Sequence, residues 1–155
     1  MRPFYPDETD RSIMNLLQLD GEMTYKELAA KLHRSKTNIV ERIKILKSFG
    51  FIEKQVVLIN IQKIKSIFTA FPHVQLKNHG QTAIDAFKKE MGGYEEVMEC
   101  YHITGHFDFI LKIATSDMIA YNDFLREKVA SNPLVGTIQS FMVLSQSKRE
   151  TAYRI

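Results

Sequence analysis

Residues 24–47 read TYKELAAKLHRSKTNIVERIKILK, and this stretch decides the fold of the N-terminal part of the chain. Apolar residues recur in it at three- and four-residue spacing, which predicts two short amphipathic helices. The break between them, His33-Arg34-Ser35, is the length of the turn in a helix-turn-helix. The alternative is an ordinary three-helix bundle that binds nothing. The two apolar stripes are Leu28, Ala29 and Leu32 on the first helix, and Ile39, Ile43 and Leu46 on the second.

Residues with known capping preferences mark the ends of these helices. Thr24 and Glu27 fit a capping box, and Ser35 is a preferred N-cap for the next helix. Gly50 fits a left-handed C-cap. An earlier helix carries Ile13, Leu16 and Leu17 and stops at Asp20-Gly21. The turn carries His33 where glycine is common, and histidine tolerates a positive φ better than most residues.

The second of the two helices combines a polar outer face with positive charge. Residues 34–54 hold six basic side chains against two acidic ones, in a chain whose total charge is only +3. Such a segment suits phosphate binding, although a solvated helix face is the alternative. For Arg42 a second alternative is pairing with an acid inside the domain. We predict double-stranded DNA as the partner, with these contact residues: Ser35, Lys36, Thr37, Asn38, Glu41, Arg42, Lys44 and Lys47.

Beyond residue 66 the pattern predicts a βαββαβ order, the ferredoxin-like arrangement, with both helices on one face of the sheet. The fold class is therefore α+β: a three-helix, winged-helix-like helix-turn-helix domain followed by a ferredoxin-like domain. Pro72 within the first strand suggests an edge position or a bulge. The predicted elements are strand 66–77, helix 81–91, strands 96–104 and 107–114, helix 117–131 and strand 135–144.

Two features predict self-association. Residues 55–60 are predicted to form a strand, and four consecutive apolar residues in it need cover on both faces. The sheet face without helices, with Met142, Phe109 and Val97 as expected residents, is most economically covered by another subunit. We predict an obligate dimer.

The predicted domains are 1–52 for DNA binding, 53–65 as a linker strand, and 66–155 for assembly and effector binding.

The segment Thr104–Asp108 is a candidate small-molecule site. Gly105 permits a tight turn with exposed amides beside Asp108, and such groups can hold the carboxylate and ammonium of an amino acid. The alternative is a plain hairpin turn. Phe107 and Phe109 alternate as in a base-stacking sheet but lack the flanking residues of an RNA-recognition signature.

Other classes of function find little support. Cys100 and His102 lie on one strand face, and with His106 and Asp108 they suggest a thiol–imidazole pair or a metal site, but no partner completes either. We predict no enzyme, cofactor or metal.

No stretch approaches the about 20 apolar residues of a membrane span. The N-terminus resembles no secretion signal, and the single cysteine fits a cytoplasmic location.

Taken together, these motifs resemble the Lrp/AsnC, or feast/famine, family of bacterial and archaeal transcriptional regulators. The match runs nearly end to end. The matching residues are DETDRSIMNLL from Asp7, Asp20-Gly21, Glu27-Leu28-Ala29, Ser35, Glu41-Arg42-Ile43, residues 46–52, Thr104-Gly105-His106-Phe107-Asp108-Phe109, Asp117-Met118, Tyr121, Phe124-Leu125, Val135 and Lys148.

The resemblance implies a sequence-specific, oligomeric DNA-binding regulator, with homodimers that assemble further, often as an octamer of four dimers. It also implies an amino-acid effector bound between dimers near Gly105. A regulator without a ligand is the alternative. Two residues depart from the family pattern: His106 replaces an acidic residue, and Leu134 replaces the glycine before Val135. The effector-site residues implied are Thr104, Gly105, His106, Phe107, Asp108, Phe141, Met142 and Val143.

Overall fold

The structure is a computed structural model that describes residues 3–155. The chain forms two compact units, one holding the residues up to Ile59 together with Lys148–Ile155, the other Asn60–Ser147. This division differs from the predicted domains in two places. Residues 53–59 and the C-terminal tail both belong to the helical unit, because contacts across the fold, rather than changes in sequence pattern, set the boundary.

The first unit contains the three predicted helices: α1 (Glu8–Leu19), α2 (Tyr25–Lys31) and α3 (Lys36–Ser48). Their apolar stripes meet in a core in which Ile13, Leu28, Ile39 and Leu46 are fully buried. No strand occurs among the described residues of this unit, so the wing of a winged helix is missing from it.

The predicted helix ends are confirmed. Thr24 and Glu27 form the capping box, and the Ser35 hydroxyl accepts a hydrogen bond from the Asn38 amide at 3.2 Å. Gly50 has a φ of +78° after α3, and His33 a φ of +52° in the turn. His33 is therefore the left-handed residue of the turn, as its position predicted.

The predicted strand 55–60 is wrong for the single chain. Residues 53–60 form no regular structure, and a single 3₁₀ turn, Ile61–Lys63, follows them. The side chains of Val56, Val57, Leu58 and Ile59 are 54–76% exposed. A strand exists only through hydrogen bonds to a neighbouring strand, so an extended apolar segment without a partner strand remains irregular.

The second unit has the predicted βαββαβ order, and its four strands form an antiparallel sheet in the order β2-β3-β1-β4. The helices pack on one sheet face through Phe87, Met91, Tyr121 and Phe124. The last helix begins as an α-helix and continues as a π-helix, Leu125–Ala130. The other elements are β1 (Phe68–Leu76), α4 (Gln81–Met91), β2 (Val97–His102), β3 (Phe109–Thr115), α5 (Met118–Phe124) and β4 (Val135–Met142).

Pro72 lies in a central strand, so its predicted edge position is wrong. β1 pairs with β4 from Ala70 to Leu76, including Pro72 with Ser140, while its pairing with β3 runs from Phe68 to Ala70 and resumes at His73. Proline has no N–H to donate, and the ladder tolerates it where one side is interrupted.

The residents predicted for the sheet face without helices are also wrong. Phe109 is fully buried in the helix-covered core, and Val97 packs against that core. Met142 pairs with the buried Ala70 and shares its face. The opposite face instead carries Phe71, His73, Ile110 and Phe141, with a Lys112–Glu99 ion pair at 2.6 Å. Strand side chains alternate, so an error of one residue exchanges the two faces.

Candidate DNA-binding helix and effector turn

Helix α3 presents a polar, positively charged side to solvent. Ile39, Ile43 and Leu46 fix one side in the core, and helical periodicity then places Thr37, Glu41 and Lys44 in the stripe opposite. Lys36 and Lys47 are exposed on one flank of this stripe. Ser35 caps the helix, so its hydroxyl is already used. The exposed residues therefore form one surface suited to the major groove.

Arg42 lies on the other flank and is held inside the domain. Its Nη1 donates to Asp7 Oδ2 and to Asp10 Oδ1, both at 2.8 Å, and its Nε donates to Asn38 Oδ1 at 3.1 Å. A hydrogen bond from the Asp10 amide, with further bonds and charge from Arg42, lowers the pKa of Asp7 below its ordinary value. Arg42 thus ties α1 to α3 and orients Asn38, one of the predicted base-reading residues.

The turn at residues 103–108 closes the β2–β3 hairpin. The Ile103 amide donates to the Asp108 carbonyl at 2.8 Å, and the Asp108 amide donates to the Val74 carbonyl at 2.9 Å. Gly105 has a φ of +118°, a conformation that an L side chain rarely adopts. Thr104, Gly105 and His106 are exposed, so the turn lies at the protein surface.

Asp108 braces the turn from within. Its Oδ2 accepts from the Leu76 amide at 2.7 Å, and its Oδ1 lies 2.8 Å from Nδ1 of His79. Burial raises the pKa of this carboxyl, but the Leu76 hydrogen bond and His79 outweigh burial and lower it overall. Each carboxylate oxygen thus has one partner within the chain, which fixes the orientation of the Asp108 side chain at the turn. Its contact with an ammonium group stays a prediction.

An aromatic chain connects the turn with strand β4. His73 lies 5.4 Å from Phe107 and 4.7 Å from Phe141, measured between ring centroids, and His106 lies 4.9 Å from Phe107. Phe141 therefore reaches the turn through His73. Neither His73 nor His79 was predicted for the site. Strand alternation identifies the face of His73, but only the fold reveals the position of His79.

The same chain does not bring Met142 and Val143 to the turn. Val143 donates to the Thr69 carbonyl, whereas the turn binds Val74, five residues away along β1. Five residues of strand span roughly 16 Å. A single chain therefore does not bring Met142 and Val143 together with residues 104–108.

The Cys100 region offers no reactive constellation. Burial raises the pKa of the Cys100 thiol, which disfavours the nucleophilic thiolate. His102 stacks against Phe109 with a centroid distance of 5.0 Å. Within residues 3–155 no three His, Cys, Asp or Glu side chains cluster in a way that suits a metal ion. None of the helices in this range is long and apolar enough to span a bilayer.

A capped helix-turn-helix with a basic second helix, joined to a ferredoxin-like domain, defines a class of DNA-binding regulator. Comparison with known families agrees. Residues 7–47 match the AsnC-type helix-turn-helix domain, and residues 69–153 match the Lrp/AsnC ligand binding domain. The chain belongs to the Lrp/AsnC family, and it is a DNA-binding transcriptional regulator of that type.

Individual relatives resemble the chain over nearly its whole length. The proline dehydrogenase transcriptional activator of Rhizobium radiobacter is 35% identical over 94% of this chain and 92% of its own. The transcriptional regulator AzlB of Bacillus subtilis is 30% identical over 96% and 95%. The structure of a Neisseria meningitidis transcriptional regulator in complex with L-Met superposes with a TM-score of 0.86, at 27% identity and covering 96% of both chains.

Proposed function

We propose that α3 is the recognition helix, and that Thr37, Glu41 and Lys44 reach base edges while Lys36 and Lys47 contact phosphates. The observation that carries this proposal is the exposed side of α3, where the stripe opposite the buried residues and its flank together hold three lysines against one glutamate. Asn38 reads a base in the orientation that Arg42 gives it. Ser35 contributes through the helix N-terminus it caps, where backbone amides favour a phosphate.

The test is charge removal on α3. We expect the triple substitution of Lys36, Lys44 and Lys47 by Gln to weaken binding to all DNA by about ten- to hundredfold at low salt, and to flatten the salt dependence by a log–log slope of about 2–3. The matched control replaces Lys63, Lys65 and Lys89, three exposed lysines of the other unit. Equal affinities for the two triple variants would contradict the assignment of α3.

We propose further that the turn 104–108 binds an amino acid or a related small molecule. Three facts support the proposal: the match to a family ligand-binding domain, the L-Met complex of the Neisseria regulator, and the exposed backbone of this turn. The turn amides face the ligand carboxylate, and His106 and Phe107 line the site while Asp108 holds its shape. Because Met142 and Val143 lie far from their own turn, they belong to such a site only if another subunit supplies them.

Calorimetry against each of the twenty amino acids at millimolar concentration tests this effector. We expect heat for one or a few of them, and loss of that heat in His106→Ala. The control is His33→Asn, which removes a histidine of the other unit and introduces a residue that tolerates its positive φ. If no amino acid gives heat, the turn serves assembly alone and the protein regulates without this class of ligand.

Homodimers that associate further, as in an octamer of four dimers, complete the proposed mechanism. Each dimer presents two recognition helices to two half-sites, and the effector shifts the assembly equilibrium. Support comes from the exposed apolar segment 56–59 and from the aromatic sheet face. A cytoplasmic location follows from its DNA partner.

A further inference from the structure

The C-terminal tail, Lys148–Ile155, is a docked part of the DNA-binding unit, held on the surface of α1 by two side-chain amides. Gln18 accepts from the Tyr153 amide at 2.7 Å and donates to the Tyr153 carbonyl at 2.9 Å. Asn15 does the same with Ile155, accepting at 3.4 Å and donating at 2.9 Å. Each amide thus grips the N–H and C=O of a single residue.

The spacing of the two side-chain amides on α1 matches the spacing of backbone groups in an extended segment. In a strand, residues two apart direct their N–H and C=O groups to the same edge, which matches Tyr153 and Ile155. In a helix, residues three apart share a face, which matches Asn15 and Gln18. A side-chain amide offers the same donor and acceptor as a peptide group, so α1 substitutes for a neighbouring strand.

Side chains of the tail also face an apolar groove of the same unit. The groove has a volume of about 690 Å³ and runs between the tail, α1 and the segment 51–58. Alternate tail residues line it, as expected for an extended segment. They are Thr151, Tyr153 and Ile155, opposite Met14, Leu17, Phe51, Ile52, Val56 and Leu58.

Docking of the tail attaches the DNA-binding unit to the rest of the chain at a second place. The chain leaves this unit after Ile59 and returns to it at Lys148. With the tail docked, the DNA-binding unit is attached to the rest of the chain at both places. With the tail released, this unit is attached at only one place and samples more orientations. Ordering those orientations on DNA costs binding free energy.

We propose that residues 148–155 act as a releasable strap on α1, and that the docked strap strengthens DNA binding by restricting the DNA-binding unit. The hydrogen bonds of the strap lie at the surface, so docking is reversible. Because β4 ends at Met142, only residues 143–147 lie between this strand and the strap. The proposal concerns DNA affinity and needs no effector.

The test uses the full-length double variant Asn15→Ala/Gln18→Ala, which removes both amides without changing charge and favours the helix. Hydrogen exchange should accelerate about tenfold or more at the amides of Tyr153 and Ile155. Affinity for mixed-sequence genomic DNA at low salt should fall about three- to tenfold. The control is Ser12→Ala, because Ser12 lies on the same helix α1 but neither bonds the tail nor lines the groove that the tail faces.

Three results would overturn the proposal. The first is tail amides that exchange as in an unstructured peptide in the unaltered protein, and the second is a released tail with unchanged or tighter DNA binding. The third concerns a chain ending at Ser147. In that background the two alanines should cause no additional loss of affinity, since no strap remains to release, and an additional loss would mean that they act on α1 itself.

Discussion

His33 occupies the left-handed region in the turn between α2 and α3, with a φ of +52°. That conformation costs a non-glycine residue on the order of 1 kcal/mol, while glycine pays a comparable cost in chain entropy. We expect His33→Gly to leave the free energy of unfolding unchanged or to raise it by up to about 1 kcal/mol, and His33→Val to lower it by about 1–2 kcal/mol.

Urea unfolding of the full chain checks the prediction at His33. The control is Ala30→Gly, at an exposed position in α2, which should lose about 0.5–1 kcal/mol because glycine is a poor helix former. If His33→Gly loses as much as Ala30→Gly, the turn does not depend on the left-handed residue.

Asp108 makes the stability of the second unit depend on pH. Its pKa is lowered in the folded protein, so its contribution is present above the unfolded pKa of about 4 and is lost as the pH falls through the folded value. We expect Asp108→Asn to cost about 1–2 kcal/mol at pH 7. The cost should shrink below about pH 4, where the unaltered carboxyl also takes up a proton.

Denaturant unfolding at pH 7 and at pH 3 tests the role of Asp108. Asp85→Asn is the control, because the Asp85 side chain is 61% exposed and its cost should be small at both values. A cost for Asp108→Asn that stays constant between pH 7 and pH 3 would show that folding does not lower the pKa of this carboxyl, so that its charge adds no stability to the turn.

At the scale of elements, Arg42 is the connection between α1 and α3. Its partner Asp10 has a side chain only 3% exposed, and Arg42 itself is 25% exposed. Removing the arginine leaves a buried carboxylate unpaired, so we expect Arg42→Ala to lower the free energy of unfolding by about 1–3 kcal/mol, allowing for partial solvent screening. The free energy of unfolding of Arg42→Lys should lie between those of the unaltered protein and Arg42→Ala, since lysine lacks the forked donors of arginine.

Arg126→Ala is the matched control, because Arg126 is 72% exposed and its ion pairs with Asp123 and Glu127 should contribute less than about 0.5 kcal/mol. Arg42→Ala should also reduce discrimination between DNA sites, because Asn38 loses the group that orients it. If Arg42→Ala were as stable as Arg126→Ala, the proposed structural role of Arg42 would be wrong.

The elements differ in how far the sequence predicted them. The sequence predicts helix α4 at residues 81–91, and the helix is found there. The spacing of its apolar residues identifies the face that packs in the core. The segment 55–60 also has apolar residues typical of a strand, but it forms none. A strand requires a partner strand, which the composition of the segment does not specify. The change to π-helix at Leu125 likewise had no signal in the spacing.

For the whole molecule, the exposed segment Val56–Ile59 leads us to expect a particle of at least twice the 18.0 kDa of one chain, measured by light scattering at micromolar concentration. A double change of Val57 and Ile59 to Asp should yield monomers, because it places charge in the area to be buried. Ile119→Asp, on a 75% exposed residue of α5, should keep the dimer. An unaltered protein that measures as a monomer would refute the obligate dimer.

The sequence by itself determined the features that depend on neighbours along the chain. The caps at Thr24, Ser35 and Gly50, the left-handed His33 and the order of the helices and strands after residue 66 all follow from local backbone preference and periodicity. The family signature is also of this kind, because it is an ordered set of local motifs.

Only the tertiary structure decided features that depend on residues far apart in the chain. The pairing of Arg42 with Asp7 and Asp10, the brace from Asp108 to Leu76 and His79, and the docking of the tail on Asn15 and Gln18 join positions 29 to 140 residues apart. A polar side chain has the same preferences whichever partner it finds. Which partner lies within hydrogen-bonding distance is fixed by the packing of the core and the register of the sheet, and a single residue of register exchanges one face of a strand for the other.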